Sequence, residues 1–182
     1  IEPQRFVTRT SLAGGWNWQV DRNVHAAPLR CAELTWGWGL GVHAYSELTF
    51  DLPACVRSFR TQYGLDASAG SGGCVRAVIT AGPATGPVVH RSGHVIGSDK
   101  SYDSGVLALP GAKQVTLVAD AAHEDRPAGA DPLEIRDSFA WLLPVIELDP
   151  QLLLAEIEKR IESSLWGWSG WSLVNAATRP SL

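Results

Sequence analysis

Apolar and polar residues alternate along most of this chain with the period of two that marks half-buried strands. Leu48, Phe50 and Leu52 fall on one side of an extended segment, with Glu47, Thr49 and Asp51 on the other. The same pattern sets Phe59, Thr61, Tyr63 and Leu65 against Arg60, Gln62 and Gly64, and turns Val75, Ala77 and Ile79 one way. Further strands are expected at 104–109 and 114–120, joined by a turn at Pro110-Gly111, and along the apolar run 138–148. Upstream, Trp16 and Trp18 oppose Asn17 and Gln19, and a short strand holding Pro28 and Cys31 is expected within 26–33. Trp36 and Trp38 alternate with Gly37 and Gly39, a signal of bulges or of a backbone closely approached. Turn signals punctuate this series at Pro53, at 66–73 (DASAGSGG) and at Gly82–Gly86, and no amphipathic helix interrupts 16–148. The pattern predicts an all-β fold, an antiparallel β-sandwich or jelly roll.

The segment Gly39–Leu52, GLGVHAYSELTFDL, reads as the organising strand, its alternating half led in by two glycines, a histidine, a tyrosine and a serine. The period changes after Asp149. Asp149 is a natural N-cap, Pro150 suits the first helical position, and Leu153, Ile157, Ile161 and Leu165 recur every fourth residue among charges. The expected organisation is a linker or lead-in strand over 1–15, the sandwich over 16–148, an amphipathic helix over 149–165, and a Trp/Gly-rich tail over 166–182 containing WGWSGW.

Composition narrows the function classes. A net charge of −4 without any Lys/Arg cluster gives a polyanion nothing to hold, which sets nucleic acid aside. No apolar run approaches the ~18 residues of a membrane-spanning helix. The absence of methionine, including at position 1, points to a piece of a longer or processed chain. Cys31, Cys55 and Cys74 match no zinc spacing and are expected as small buried residues. Eight tryptophans imply a large aromatic core, flat stacking surfaces, or both.

Catalytic signatures are missing. There is no G-x-S-x-G elbow, phosphate loop, dinucleotide fingerprint or H-E-x-x-H. His90 and His94 have i, i+4 spacing, but Ser92 and Gly93 between them argue against the helix that a zinc pair needs. Glu124, Asp125 and Asp131 gather in a charged segment, 121–137, that reads as a solvated loop. A sugar, by contrast, offers hydroxyls to short polar side chains and a C–H face to aromatic rings, and Trp, His, Glu and Asn in the loops of a sandwich supply both.

The ordered motifs resemble those of the NPCBM family, the "novel putative carbohydrate-binding module". Gly39–Leu52 is similar to its G-x-H-A-x-S segment leading into a strand that ends Tyr/Phe-Asp-Leu, and Trp16–Val24 to its opening segment. Residues 59–79 resemble its F-x-x-x-x-G-x-D hairpin, Tyr102–Leu107 (YDSGVL) its Y-D-S-G strand, and Gln114–Asp120 its L-x-L-x-V-x-D strand. Asp137–Trp141 departs from the family's D-H-A-D-W, lacking the His and the second Asp. The resemblance covers about residues 7–148. It implies a β-sandwich jelly roll and non-catalytic binding of glycans, galactose-type sugars among them. It also implies a structural Ca2+, and an extracellular or cell-surface setting beside other domains of a larger protein.

Residue by residue, His43, Glu47, Tyr45, Trp36 and Trp141 are the candidates for sugar contact, and Asp66 and Asp120 for calcium. Each has a plainer reading: a buried histidine tied to backbone, a surface glutamate, core tryptophans, and carboxylates that cap turns. Two rivals remain open at this point. One is a structural or protein-interaction sandwich that has lost sugar binding. The other is a small hydrolase using carboxylates of the 121–137 loop.

Overall fold

The computed structural model describes residues 2–9 and 16–162. Fourteen strands follow in chain order. They begin with β1 (Arg5–Thr8), β2 (Gln19–Val20), β3 (Leu29–Cys31), β4 (Leu34–Trp36), β5 (Gly39–His43), β6 (Ser46–Asp51) and β7 (Val56–Leu65). They continue with β8 (Cys74–Ala81), β9 (Val88–Arg91), β10 (Val95–Ile96), β11 (Tyr102–Asp103), β12 (Leu107–Ala108), β13 (Gln114–Asp120) and β14 (Ser138–Leu148). One helix, α1 (Pro150–Glu162), ends the described chain.

Twelve of the strands form two antiparallel sheets packed face to face, and β3 and β4 pair as a separate hairpin. The first has the order β1-β6-β13-β8-β10, with β9 also on β8; the second has β11-β7-β14-β5-β2, with β12 also on β7. From β5 onward the chain crosses between sheets at β5–β6, β6–β7, β7–β8, β10–β11, β12–β13 and β13–β14, the path of a jelly roll. Alternation places the core as the sequence pattern requires. Leu48 from β6, Phe59, Tyr63 and Leu65 from β7, Val75, Ala77 and Ile79 from β8, Val115 and Leu117 from β13, and Phe139 and Trp141 from β14 meet between the sheets.

Two expectations change. Gly39–Leu52 is two strands, not one strand with a polar lead-in: β5 lies in the second sheet and β6 in the first, joined by the two-residue arch Ala44-Tyr45. The 121–137 segment is more than a solvated loop. It contains two 3-10 turns, His123–Asp125 and Glu134–Arg136, and buries Glu134. The helix begins where its cap predicts, Asp149 accepting from the amides of Gln151 and Leu152, but Leu165 and the WGWSGW tail lie outside the described residues. On its face Leu153 is half-buried, while Leu152, Leu154 and Ile157 are exposed.

The outer face of the second sheet is covered by a strap, residues 16–36, that includes the β3–β4 hairpin. Glycines let it lie flush. A Cβ on Gly41 would stand 2.1 Å from the Arg22 carbonyl oxygen, and one on Gly64 would stand 2.4 Å from the Cys31 sulfur. Under the hairpin Leu29 and Cys31 pack on Ala140 and Leu142, with Trp36 at the margin. All three cysteines are buried free thiols, and burial raises the Cys31 thiol to about 11.

Candidate functional site

The arch at Ala44-Tyr45, whose connecting peptide is cis, concentrates polar and aromatic groups. Because β5 and β6 belong to opposite sheets, alternation sends their polar side chains to opposite outer faces. On β5, Leu40 and Val42 point into the core, so Gly39, Gly41 and His43 face the strap. On β6, Leu48 and Phe50 point inward, so Glu47, Thr49 and Asp51 face outward from the first sheet. His43 and Glu47, adjacent on a single-strand reading, therefore flank the arch from two sides.

On the strap side, His43 is 2% exposed. The Trp16 ring stacks on it, with centroids 5.3 Å apart and planes 17° apart, and His25 meets Trp16 edge-on at 5.0 Å. His43 Nδ1 lies 2.6 Å from the Ala44 carbonyl oxygen. A carbonyl can only accept, so Nδ1 carries the proton in this contact. Among the described residues Nε2 has no hydrogen-bond partner. The expected sugar contact through His43 gives way here to a buried imidazole tied to its neighbouring backbone.

On the other side, the Tyr45 hydroxyl donates to Glu47 Oε1 at 2.6 Å, and the Arg9 guanidinium carbon stands 5.4 Å from the centre of the Tyr45 ring. Burial, and then the Glu47 carboxylate, hold the Tyr45 phenol well above the ordinary tyrosine range. Tyr45 is half-buried and Glu47 is buried to 9% exposure.

The arch is anchored from below. The Ala44 amide donates to the Asp137 carbonyl oxygen at 3.1 Å. Asp137, fully buried, accepts from the Cys74 amide at 2.9 Å and pairs with Arg126. Arg126 also donates to the carbonyls of Ala121, Asp131 and Leu133, at 2.6–3.1 Å, and so closes the 121–137 loop on itself.

The other candidates sit elsewhere. Trp141 is fully buried, edge-on to Phe139 at 5.2 Å and tilted against Tyr63 at 5.9 Å. It presents no face to a ligand, which corrects its reading as a sugar contact. Trp36 is half-buried on the hairpin, its indole donating to the Cys31 carbonyl oxygen at 3.1 Å, away from the arch. Asp66 spends its carboxylate on the strap. Oδ1 accepts from Asn23 Nδ2, the Ser68 amide and the Ser68 hydroxyl, and Oδ2 from the Arg30 amide. Asp120 accepts from the Ala122 amide and lies 3.8 Å from Arg76. Among the described residues no three His, Cys, Asp or Glu side chains gather as metal ligands. With their oxygens committed to donors in different places, Asp66 and Asp120 do not fit a shared calcium ion.

The loop carboxylates do not form an acid–base pair either. Asp125 is held by Arg76 at 2.8 Å and approached by His94 at 3.2 Å, contacts that hold its carboxyl below the ordinary carboxylate range. Asp131 pairs with Arg136, and Glu134 with His123. The chemistry on offer is recognition: hydrogen-bond acceptors and aromatic faces around the arch. The sequence singles out neither His25 nor Arg9: His25 reaches the site only because the strap folds back over β5, and Arg9 only because β1 pairs with β6, its amide donating to the Tyr45 carbonyl oxygen at 3.1 Å.

A family model described as "NPCBM/NEW2 domain" matches residues 6–131. No curated protein matches the chain. Among solved structures, the CBM51-2 and INT domains of Clostridium perfringens ZmpB, in complex with GlcNAc, align at 19% identity and a TM-score of 0.66, over 91% of this chain and 35% of that one. CBM51 of Clostridium perfringens GH95, in complex with methyl-galactose, aligns at 17% identity and a TM-score of 0.63, over 81% of this chain and 95% of that one. The tandem CBM51 modules of Sp3GH98, a family 98 glycoside hydrolase of Streptococcus pneumoniae, align at 16% identity and a TM-score of 0.55, over 78% of this chain and 47% of that one. The chain thus spans about a third of the length of the first of these structures. At these identities the likeness is one of fold.

Proposed function

Because the chain belongs to the NPCBM/NEW2 domain family, we propose that it is a non-catalytic glycan-binding module whose ligand meets the Ala44-Tyr45 arch. The observation that carries this reading is the pairing at the arch of an ionised acceptor with a partly exposed aromatic ring. The Tyr45 hydroxyl, oriented by Glu47, is placed to accept from a sugar hydroxyl, and the Tyr45 ring, steadied by Arg9, offers apolar contact. The complexes of similar folds with methyl-galactose and GlcNAc support a neutral sugar as the ligand class. A single ring makes few contacts, so affinity falls near the millimolar range, about 4 kcal/mol. The module would serve an extracellular or cell-surface protein carrying further domains.

The burial of His43 and Trp141 favours one rival, a sandwich that keeps the fold and has lost the sugar. A glycan array probed with the full chain separates the two. Binding to neutral glycans, abolished together by Tyr45→Ala and Glu47→Ala in folded protein, supports the module. Signal no higher than background across the array supports the rival.

A further inference from the structure

Trp16 belongs to neither the core nor any pairing that sheet register explains, yet its ring is held on two sides. His43 lies parallel beneath one face and His25 stands against it edge-on. The residue is half-buried, so part of the indole remains open. His43 cannot slide under this load. It is 2% exposed, and its Nδ1 hydrogen is fixed on the Ala44 carbonyl oxygen, within the arch itself. The strap that delivers Trp16 is locked by Asp66 and by the Asp21 carboxylate, which accepts from the Gly39 amide at 3.0 Å.

We propose that Trp16 is the surface on which a neutral sugar ring stacks, and that His43 is the positioning residue that holds it there. This rests on the glycan-binding reading and adds to it a contact residue and a division of labour. A stacking partner is most useful when its plane is set before the ligand arrives, since ordering a free side chain costs binding energy. Trp38 makes the contrast. It is more open, at 48%, but among the described residues no ring contact steadies it, and its backbone neighbour is the exposed Leu143. His43, by contrast, acts without touching the sugar, because the indole seals it.

The test measures the affinity of the full chain for methyl-galactose and for GlcNAc, with melting temperature as the folding control. For whichever sugar binds, Trp16→Ala weakens affinity by about tenfold or more, and Trp16→Phe by a few-fold, while the melting temperature barely moves. His43→Ala, which removes the backing, weakens affinity as Trp16→Ala does. His43→Phe, which restores a flat ring beneath the indole, recovers most of it. A merely structural histidine would shift melting without this rescue. If Trp16→Ala unfolds the chain, the Phe variant decides: wild-type affinity in Trp16→Phe together with unchanged affinity in His43→Ala overturns the proposal. Loss of binding in Tyr45→Ala with none in Trp16→Ala overturns it too, and leaves the module reading standing. If the wild type binds neither sugar and no glycan on the array, the module reading itself falls.

Discussion

Replacing Asp66 by alanine removes a lock on the strap, and this reading differs in measurable ways from that of a calcium ligand. The carboxylate is 1% exposed and accepts four hydrogen bonds, at 2.9 Å from Asn23 Nδ2, 3.0 Å from the Ser68 amide, 2.7 Å from the Ser68 hydroxyl and 3.1 Å from the Arg30 amide. The two from Ser68 are local, and water can replace them because Ser68 is exposed. The bonds from Asn23 and Arg30 tie the strap to the end of β7, and losing them leaves the buried Asn23 amide short of an acceptor. Hydrogen bonds to charged groups contribute about 1.5–3 kcal/mol each, and an unsatisfied buried donor costs about 1–3 kcal/mol, so Asp66→Ala should cost about 3–5 kcal/mol. At roughly 2–4 °C per kcal/mol for a chain of this size, melting should fall by about 6–20 °C. Asp66→Asn keeps Oδ1 and loses only the Arg30 amide, so it should cost less than half as much. The assay is urea and thermal unfolding of wild type and variants, each with millimolar calcium and with chelator. A cost below about 1 kcal/mol for Asp66→Ala would refute the lock. So would a calcium-dependent rise in wild-type melting that disappears in the variant.

Further predictions follow from other parts of the frame. Gly41→Ala would set a methyl 2.1 Å from the Arg22 carbonyl oxygen and should destabilise by about 3 kcal/mol or more, read by chemical denaturation. His90 accepts from or donates to the Tyr63 hydroxyl at 2.9 Å, and burial lowers its pKa. Its folded state therefore holds fewer protons than the unfolded chain, so stability is present above the ordinary histidine range and declines as pH falls through about 6.5. In His90→Phe this slope between pH 7 and 5 should flatten in melting curves. Asp149 is held below the ordinary carboxylate range by the amides of Leu152 and Gln151 and by Arg57. Its capping of α1 is thus present above about pH 4 and lost as pH falls through the lower folded value, and Asp149→Ala should lose helical circular dichroism already at neutral pH.

The sandwich was legible because alternation and burial coincide. Leu48, Phe59, Tyr63, Val75, Ile79 and Leu117 face inward where the period of two puts them. The helix start was legible because Asp149 and Pro150 are local signals. The site was less so, for a topological reason. A run of alternating residues does not announce that it changes sheets, and the crossing at Ala44-Tyr45 is what separates His43 from Glu47. The glycines at 39 and 41 signalled close backbone approach, but not that the approaching backbone is the strap of 16–36. Residue type alone does not tell a core indole such as Trp141 from a stacking one, and for Asp66 it left turn capping, which the structure shows, beside calcium.

The central claim is that a neutral sugar meets the chain at the arch. Amide and indole chemical-shift mapping during titration with methyl-galactose and with GlcNAc tests it most directly. Saturable shifts are expected, at millimolar ligand, confined to Arg9, Trp16, His25 and the residues from His43 to Glu47, with Trp38 and the Tyr63–His90 edge unmoved. Saturable shifts centred on Trp38 or on His90, or no shifts with either sugar, would contradict it.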